Sequence, residues 1–156
     1  MRRKDREITE ITEIIKIIKN CATCSVALID GDYPYVVPLN FGIAYIDGKV
    51  KLYFHCAKEG KKLDLIKANP KSAFEMSTSK KLITGETACD YTMEFESVCG
   101  RGTIRIVNEE EKIRGLKFIM SQYGGADKEF DEKYLKAIEV LELTADEISG
   151  KRLRKG

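Results

Sequence analysis

The stretch "LYFHCAKEGKKLDLIKANP", residues 52–70, decides how this chain folds. Leu52, Phe54 and Cys56 fall on one face of a strand, with Lys51, Tyr53 and His55 on the other. Gly60 then punctuates the chain. Leu63 and Ile66 mark the inward side of a short helix that stops at Asn69-Pro70. Lys61 and Lys62 therefore sit in the first turn of that helix, where unpaired amide hydrogens already carry partial positive charge. Two lysines there are unfavourable unless something negative neutralises them, as a phosphate would. Exposed lysines also extend into water at slight cost, and on the residues alone this solvated reading stands first.

Upstream, "YPYVVPLNFGIAYI" (residues 33–46) reads as one long strand interrupted by Pro34 and Pro38. Proline cannot donate to a sheet ladder, so part of it must lie at an edge or bulge, where a ligand could meet free backbone groups. Asp47-Gly48 is a hairpin signal leading back into Val50. Nearer the start, Ile8, Ile11, Ile14, Ile15 and Ile18 recur at helical spacing, with Asp5 as the expected cap and Asn20 as a left-handed terminus. Residues 23–30 read as a strand turned by Gly31-Asp32.

Downstream, "SAFEMS" reads as a strand and "SKKLITGETACD" as a polar loop. "YTMEFESVCGRGTIRIV" (residues 91–107) is a long β-like segment, with Gly100 and Gly102 marking a bend or bulge. Asn108 and Glu111 form a capping box for a helix expected to line one face with Ile113, Leu116, Met120 and Tyr123 and to end at Gly124-Gly125. A second helical stretch carries Phe130 and Tyr134, and "AIEVLELTADEI" closes the fold as a strand. The expectation is a single α+β domain over residues 1–156, mainly β, with six or seven strands and helices outside them.

The 156 residues suffice for one domain with a real core, and 27 basic against 25 acidic side chains give no global field toward nucleic acid or membrane. Basic residues gather in "MRRKDR" and "GKRLRKG", which read as solvated termini. The chain lacks a membrane-length apolar run and a secretory core, so a cytoplasmic home with no membrane or nucleic-acid partner is expected. Five cysteines in such a chain argue against a disulfide framework. Cys21 and Cys24 have zinc-like spacing, but there is no second close pair and the motif follows a helix into a strand, so they read as small semi-buried residues. His55 is the only histidine, which leaves no histidine metal site; Cys56 beside it points to the opposite strand face, so no Cys-His hydrolase assembles. No dinucleotide fingerprint or nucleotide-hydrolase phosphate loop is present. The residues themselves lead to a small barrel-like domain with a possible anion site between a strand and a helix.

"YVVPLNFG", the hairpin, "LYFHCAKEGKKLDLIKANP", "AFE" and "ACDYTMEFESVCGRGTIRIV" occur here in an order that closely resembles the flavin-nucleotide-binding split barrels. These are relatives of pyridoxamine 5'-phosphate oxidase, and the nitroimidazole-resistance (Nim) branch is the most similar. The resemblance covers nearly the whole chain. It implies a six-stranded antiparallel split β-barrel with flanking helices that forms a homodimer and binds FMN in the clefts between subunits. Carried onto this sequence, it implies cofactor contacts from Val37, Pro38, Leu39 and Asn40, and from Phe54, His55, Cys56 and Ala57. Lys61 and Lys62 would take the phosphate, Lys62 foremost, and Ser97 would approach from either subunit. His55 is the catalytic candidate, tuning the flavin or touching substrate, and a structural role stands beside that reading. The implied activity is an FMN-dependent reductase passing electrons from a donor such as NAD(P)H to a small organic acceptor, for example a nitro compound. A flavin-storing or sensing protein, or the same barrel with haem or a deazaflavin, are the alternatives. The absence of tryptophan and the weak carboxy-terminal echo "KRLRKG" argue against vitamin B6 oxidation.

Overall fold

Why the sheet must curl follows from a single connection. A computed structural model describes residues 3–154, the side chain of Lys80 excepted. In it β1 (Glu7–Ile8) and α1 (Ile11–Lys19) precede β2 (Cys24–Asp30), β3 (Tyr33–Leu39), β4 (Gly42–Ile46) and β5 (Lys49–Ala57). Then come α2 (Lys61–Ala68), β6 (Lys71–Ile83), β7 (Thr92–Ile106), α3 (Glu109–Gln122), α4 (Glu132–Ala137) and β8 (Ile138–Leu153). All ladders are antiparallel, in the order β3-β2-β6-β7-β8-β5-β4, with β1 added to β8. The outermost strands β3 and β4 are consecutive in sequence, joined only through Asn40 and Phe41. Laid flat, seven strands would separate their edges by about 29 Å. The three peptide units from Leu39 to Gly42 reach at most about 11 Å. The sheet therefore curls until its edges meet, and because β3 and β4 do not pair, the barrel stays split.

The α+β, mainly β class agrees with the sequence, but the sheet has eight strands rather than six. The long strand expected over residues 33–46 divides at Asn40-Phe41 because its halves pair with different neighbours, β2 and β5. Pro34 and Pro38 do lie on an edge strand. The Asp47-Gly48 hairpin forms as expected, both residues taking positive φ (54° and 72°), the geometry that matches a tight hairpin to strand twist. β6 continues through the stretch read as loop, to Ile83, across an irregularity between Ser79 and Lys81. The expected bulge occurs between Arg101 and Gly102; a Cβ on Gly102 would lie 2.0 Å from the Thr144 carbonyl oxygen.

The barrel interior holds Ile14, Ile17 and Ile18 of α1 together with Val26, Leu52, Phe54, Phe74, Val98 and Leu143. A second apolar layer lies under α3, where Ala44, Tyr53, Val107, Leu116, Ile119 and Val140 pack. α3 is set closer and at a different rotation than its large apolar residues suggest. It buries Lys112, Gly115, Leu116 and Ile119, leaving Ile113 and Tyr123 partly exposed. The two glycines at this seam permit the approach: a Cβ on Gly42 would sit 2.3 Å from α3 backbone at Phe118, and one on Gly115 would meet Val140 at 2.7 Å. The Asn108–Glu111 capping box forms as read.

The amino-terminal reading needs correction. Asp5 lies in a short 3-10 turn, and α1 begins only at Ile11 because residues 7–8 pair with β8 instead. Asn20 ends α1 in right-handed geometry (φ −87°). The basic ends are not simply solvated: Arg152 and Arg154 both bond the buried Glu96. Residues 1–2 and 155–156 of those ends lie outside the described residues. No helix among the described residues is long and apolar enough to cross a membrane.

Candidate functional site

β5 and α2 build the site between them. β8 pairs with β5 over residues 51–57, whereas β4 pairs only as far as Tyr53. Residues 54–57 thus have a neighbour on one side and an open edge on the other. Val50, Leu52, Phe54 and Cys56 point into the core as the alternation predicts. The Phe54 side chain is fully buried, so only its backbone remains for a ligand. Ala57 is exposed, and burial pushes the Cys56 thiol up, against the opposing pull of Lys62, leaving it a neutral packing group.

Gly60 turns the chain from β5 into α2 at φ 136°, a conformation that favours glycine. Having no side chain, it cannot cap the helix. The Leu63 N–H reaches the Gly60 carbonyl at 2.9 Å, which leaves the Lys61 and Lys62 amides of the first turn without a helical partner. Lys61 pairs with Asp30 at the end of β2, Nζ to Oδ2 2.5 Å, and its Nζ lies 5.8 Å over the Tyr35 ring. Lys62 is half-buried and has no ion pair among the described residues.

Tyr35, Val37 and Leu39 share the inward, half-buried side of β3, so Lys61 stands on the same side as two of the expected contact residues. Pro34, Val36 and Pro38 share the other parity. A proline fits there only if those backbone positions face away from β2, so the Val36 N–H and the carbonyls of all three point to the open edge. Asn40 is exposed in the link between β3 and β4. Tyr123 fixes that link by accepting from the Phe41 N–H (3.1 Å) and donating to the Ala22 carbonyl (2.8 Å).

His55 is exposed on the outer face of β5, opposite Val140 of β8. Ser97 pairs with Ser77 and Lys151 and points away from the core that its neighbour Val98 enters. Within one chain Lys61 links the first turn of α2 to Tyr35 of β3 and to Asp30 of β2, while Ser97 faces outward on β7. Among the described residues no group of three metal-ligating side chains forms.

Sequence reasoning missed a polar network beside this site. Tyr53, which the alternation places on the polar face with Lys51 and His55, is 1 % exposed because α3 covers it, its ring stacked on Phe118 at 5.1 Å. Its hydroxyl donates to Glu142 Oε2 at 2.8 Å, while Arg105 Nε donates to Oε1 at 3.1 Å and Lys51 lies 3.4 Å away. Burial alone would raise the Glu142 carboxyl, yet the bonds from Tyr53 and Arg105 outweigh it and hold it below the usual range. Burial, then the bond to Glu142, pushes the Tyr53 phenol up. Arg105 also grips Glu111 with two 2.8 Å bonds, chiefly through which that carboxyl is lowered to about 2. The available signal was Gly115, whose small size on α3 marks where the helix presses on β5.

A family model described as pyridoxamine 5'-phosphate oxidase matches residues 10–152. Among solved structures, the chain is similar to a candidate 5-nitroimidazole antibiotic resistance protein from Bacteroides thetaiotaomicron, at 30 % identity and TM-score 0.79, over 94 % of this chain and 86 % of that one. It shares its fold with an FAD- and haem-binding protein of Mycobacterium smegmatis (17 % identity, TM-score 0.83, 96 % and 74 % covered). The same holds for the flavocytochrome Anf3 of Azotobacter vinelandii (19 % identity, TM-score 0.82, 100 % and 72 % covered). Comparison with curated proteins gives no match.

Proposed function

The chain belongs to the pyridoxamine 5'-phosphate oxidase family, and from that premise we propose that it is an FMN-binding reductase of the cytoplasm, acting as a homodimer on a small organic acceptor. The observation that carries the reading is the uncapped first turn of α2, which presents two free amides and the Lys61 and Lys62 ammoniums at the end of an open-edged strand. That donor set suits a phosphate monoester: amides, helix charge and cations all favour an anion. Lys62 is the primary partner and Lys61, shared with Asp30, the secondary one.

When bound, FMN supplies the redox chemistry. The chain's residues hold and orient it. The backbone of residues 54–57 and the outward groups of β3 offer hydrogen bonds to polar ring edges, while Val37, Pro38 and Leu39 supply apolar contact and Asn40 an amide side chain. His55, exposed on the outer face of β5, is the residue we assign to tuning the flavin or touching substrate. A second copy is supported by the free edge of β3 and by Ser97, whose outward position lets it serve a flavin held by the other copy. The likeness to the Bacteroides protein supports a nitro-compound acceptor, with NADH or NADPH as donor.

The test is anaerobic mixing of the FMN-loaded protein with NADH or NADPH, followed by a 5-nitroimidazole. Bleaching of the flavin band and its return, in proportion to acceptor added, is the expected result. Bound flavin that neither nicotinamide reduces would replace the reductase with a flavin-binding or sensing protein.

A further inference from the structure

Asn40 stands where the two edges of the barrel meet without pairing, and its position is set from the far end of α3. Asn40 and Phe41 are the whole link between β3 and β4. Phe41 is fully buried and Asn40 exposed, so the link drives one side chain into the core and presents the other outward. Ladder hydrogen bonds between β3 and β4 cannot hold it there, because the two strands do not pair.

α3 holds it instead. On one side Gly42 lies so close to the helix backbone that a Cβ would come within 2.3 Å of Phe118 and Ile119. On the other, Tyr123, which closes α3, accepts from the Phe41 N–H at 3.1 Å and donates to the Ala22 carbonyl at 2.8 Å. Its single hydroxyl hydrogen goes to Ala22, which leaves a lone pair for Phe41. The neighbouring Gln122 donates to the Lys19 and Cys21 carbonyls at 3.0 and 3.1 Å. The end of α3 is thereby tied to the end of α1, and one phenol carries that anchorage across to the link.

The Phe41 N–H shares a planar peptide with the Asn40 carbonyl. That peptide is trans, so holding the N–H aims the carbonyl the opposite way, away from Tyr123. The buried Phe41 ring, the Gly42 contact and the Tyr123 bond together define where Asn40 stands. Only the last is removed by deleting a single oxygen, with the core left filled.

We propose that Tyr123 is a positioning residue for the flavin: it fixes the Asn40–Phe41 peptide so that Asn40 is in place for the ring before the ligand arrives. This rests on FMN being the ligand, and it puts Tyr123 at the ring end of the site, whereas Lys61 and Lys62 serve the phosphate. Without the hydroxyl the link is ordered only as flavin binds, and that cost is read as lost affinity.

Fluorescence-quenching titrations with riboflavin and FMN test it, on the unaltered protein, Tyr123→Phe, Asn40→Ala and the double variant. Tyr123→Phe weakens both ligands by the same factor, about three- to tenfold, because they share the ring. In the Asn40→Ala background it costs less than about twofold more, since its effect passes through Asn40. A phenol that merely steadied α3 would cost as much in either background. Riboflavin also shifts the Phe41 amide and Asn40 side-chain resonances of the unaltered protein, a readout that needs no variant to fold. Full flavin affinity in Tyr123→Phe, an equal loss in both backgrounds, or unmoved resonances beside bound flavin overturns the positioning role and leaves the FMN reading intact. Unaltered protein that binds neither flavin overturns both.

Discussion

Replacing Lys61 and Lys62 one at a time should separate two lysines that the sequence makes look equivalent. Lys61 spends its charge on Asp30 and the Tyr35 ring, whereas Lys62 has no ion pair among the described residues. A cation about 4 Å from a phosphate gains roughly 4 kcal/mol per unit charge at the effective dielectric of a protein surface. Solvent and side-chain ordering reduce this to about 1–3 kcal/mol at a half-exposed site. For Lys62→Ala the whole amount is lost, a weakening of FMN binding by roughly 5- to 150-fold. Lys61 must loosen its Asp30 pair to reach a phosphate, which offsets up to about 1 kcal/mol of its gain. With the full offset, Lys61→Ala should therefore weaken FMN by about thirtyfold or less. Titration by flavin fluorescence quenching, with riboflavin in parallel, reads both effects, and riboflavin affinity should change little. Equal losses for FMN and riboflavin, or a larger loss at Lys61, would refute the phosphate assignment.

Gly42→Ala places a Cβ 2.3 Å from the α3 backbone at Phe118, where no side chain can yield, so we expect a loss of about 1–3 kcal/mol or more and a melting point lower by several degrees; an unchanged melting curve would contradict the close seam between β4 and α3. Tyr53→Phe removes a buried hydrogen bond to the Glu142 carboxylate and should cost about 1.5–3 kcal/mol in urea unfolding. Acid behaviour follows from the carboxyls that Arg105 holds. Glu111 is lowered from 4.5 to about 2 and Glu142 is lowered too, so their contribution is full above the unfolded pKa and fades as pH falls through the folded one. Stability should decline between roughly pH 5 and 2. Arg105→Gln, discounted for its exposure, should cost about 1–2 kcal/mol at pH 7, a deficit that shrinks toward pH 2. A constant deficit across that range would contradict the linkage.

The parts legible in the sequence were those set by short-range chemistry. The alternation from Val50 to Cys56, the Asp47-Gly48 turn, the Asn108–Glu111 capping box and the bulge at Gly102 each follow from local rules, and each appears. The prolines of β3 likewise announced an edge. What escaped depends on which surface an element meets. Tyr53 alternates like a surface residue until α3 covers it. α3 buries Gly115 and Lys112 because two glycines let backbones approach, a preference that counting large apolar residues inverts. Nothing between Tyr33 and Ile46 marks where one strand becomes two, since the break is set by pairing with β2 on one side and β5 on the other. Of the candidate site, the strand, the turn and the two lysines were readable, but the Asp30 pair that makes the lysines unequal was not.

The central claim is that FMN binds this chain. The visible absorbance spectrum of the purified protein before and after FMN is added, with the ligand released by denaturation identified, tests it most directly. A protein-bound flavin spectrum with FMN as the released ligand is the predicted result. A protein that neither carries a flavin nor takes up FMN, or one that shows a haem band in its place, would contradict it.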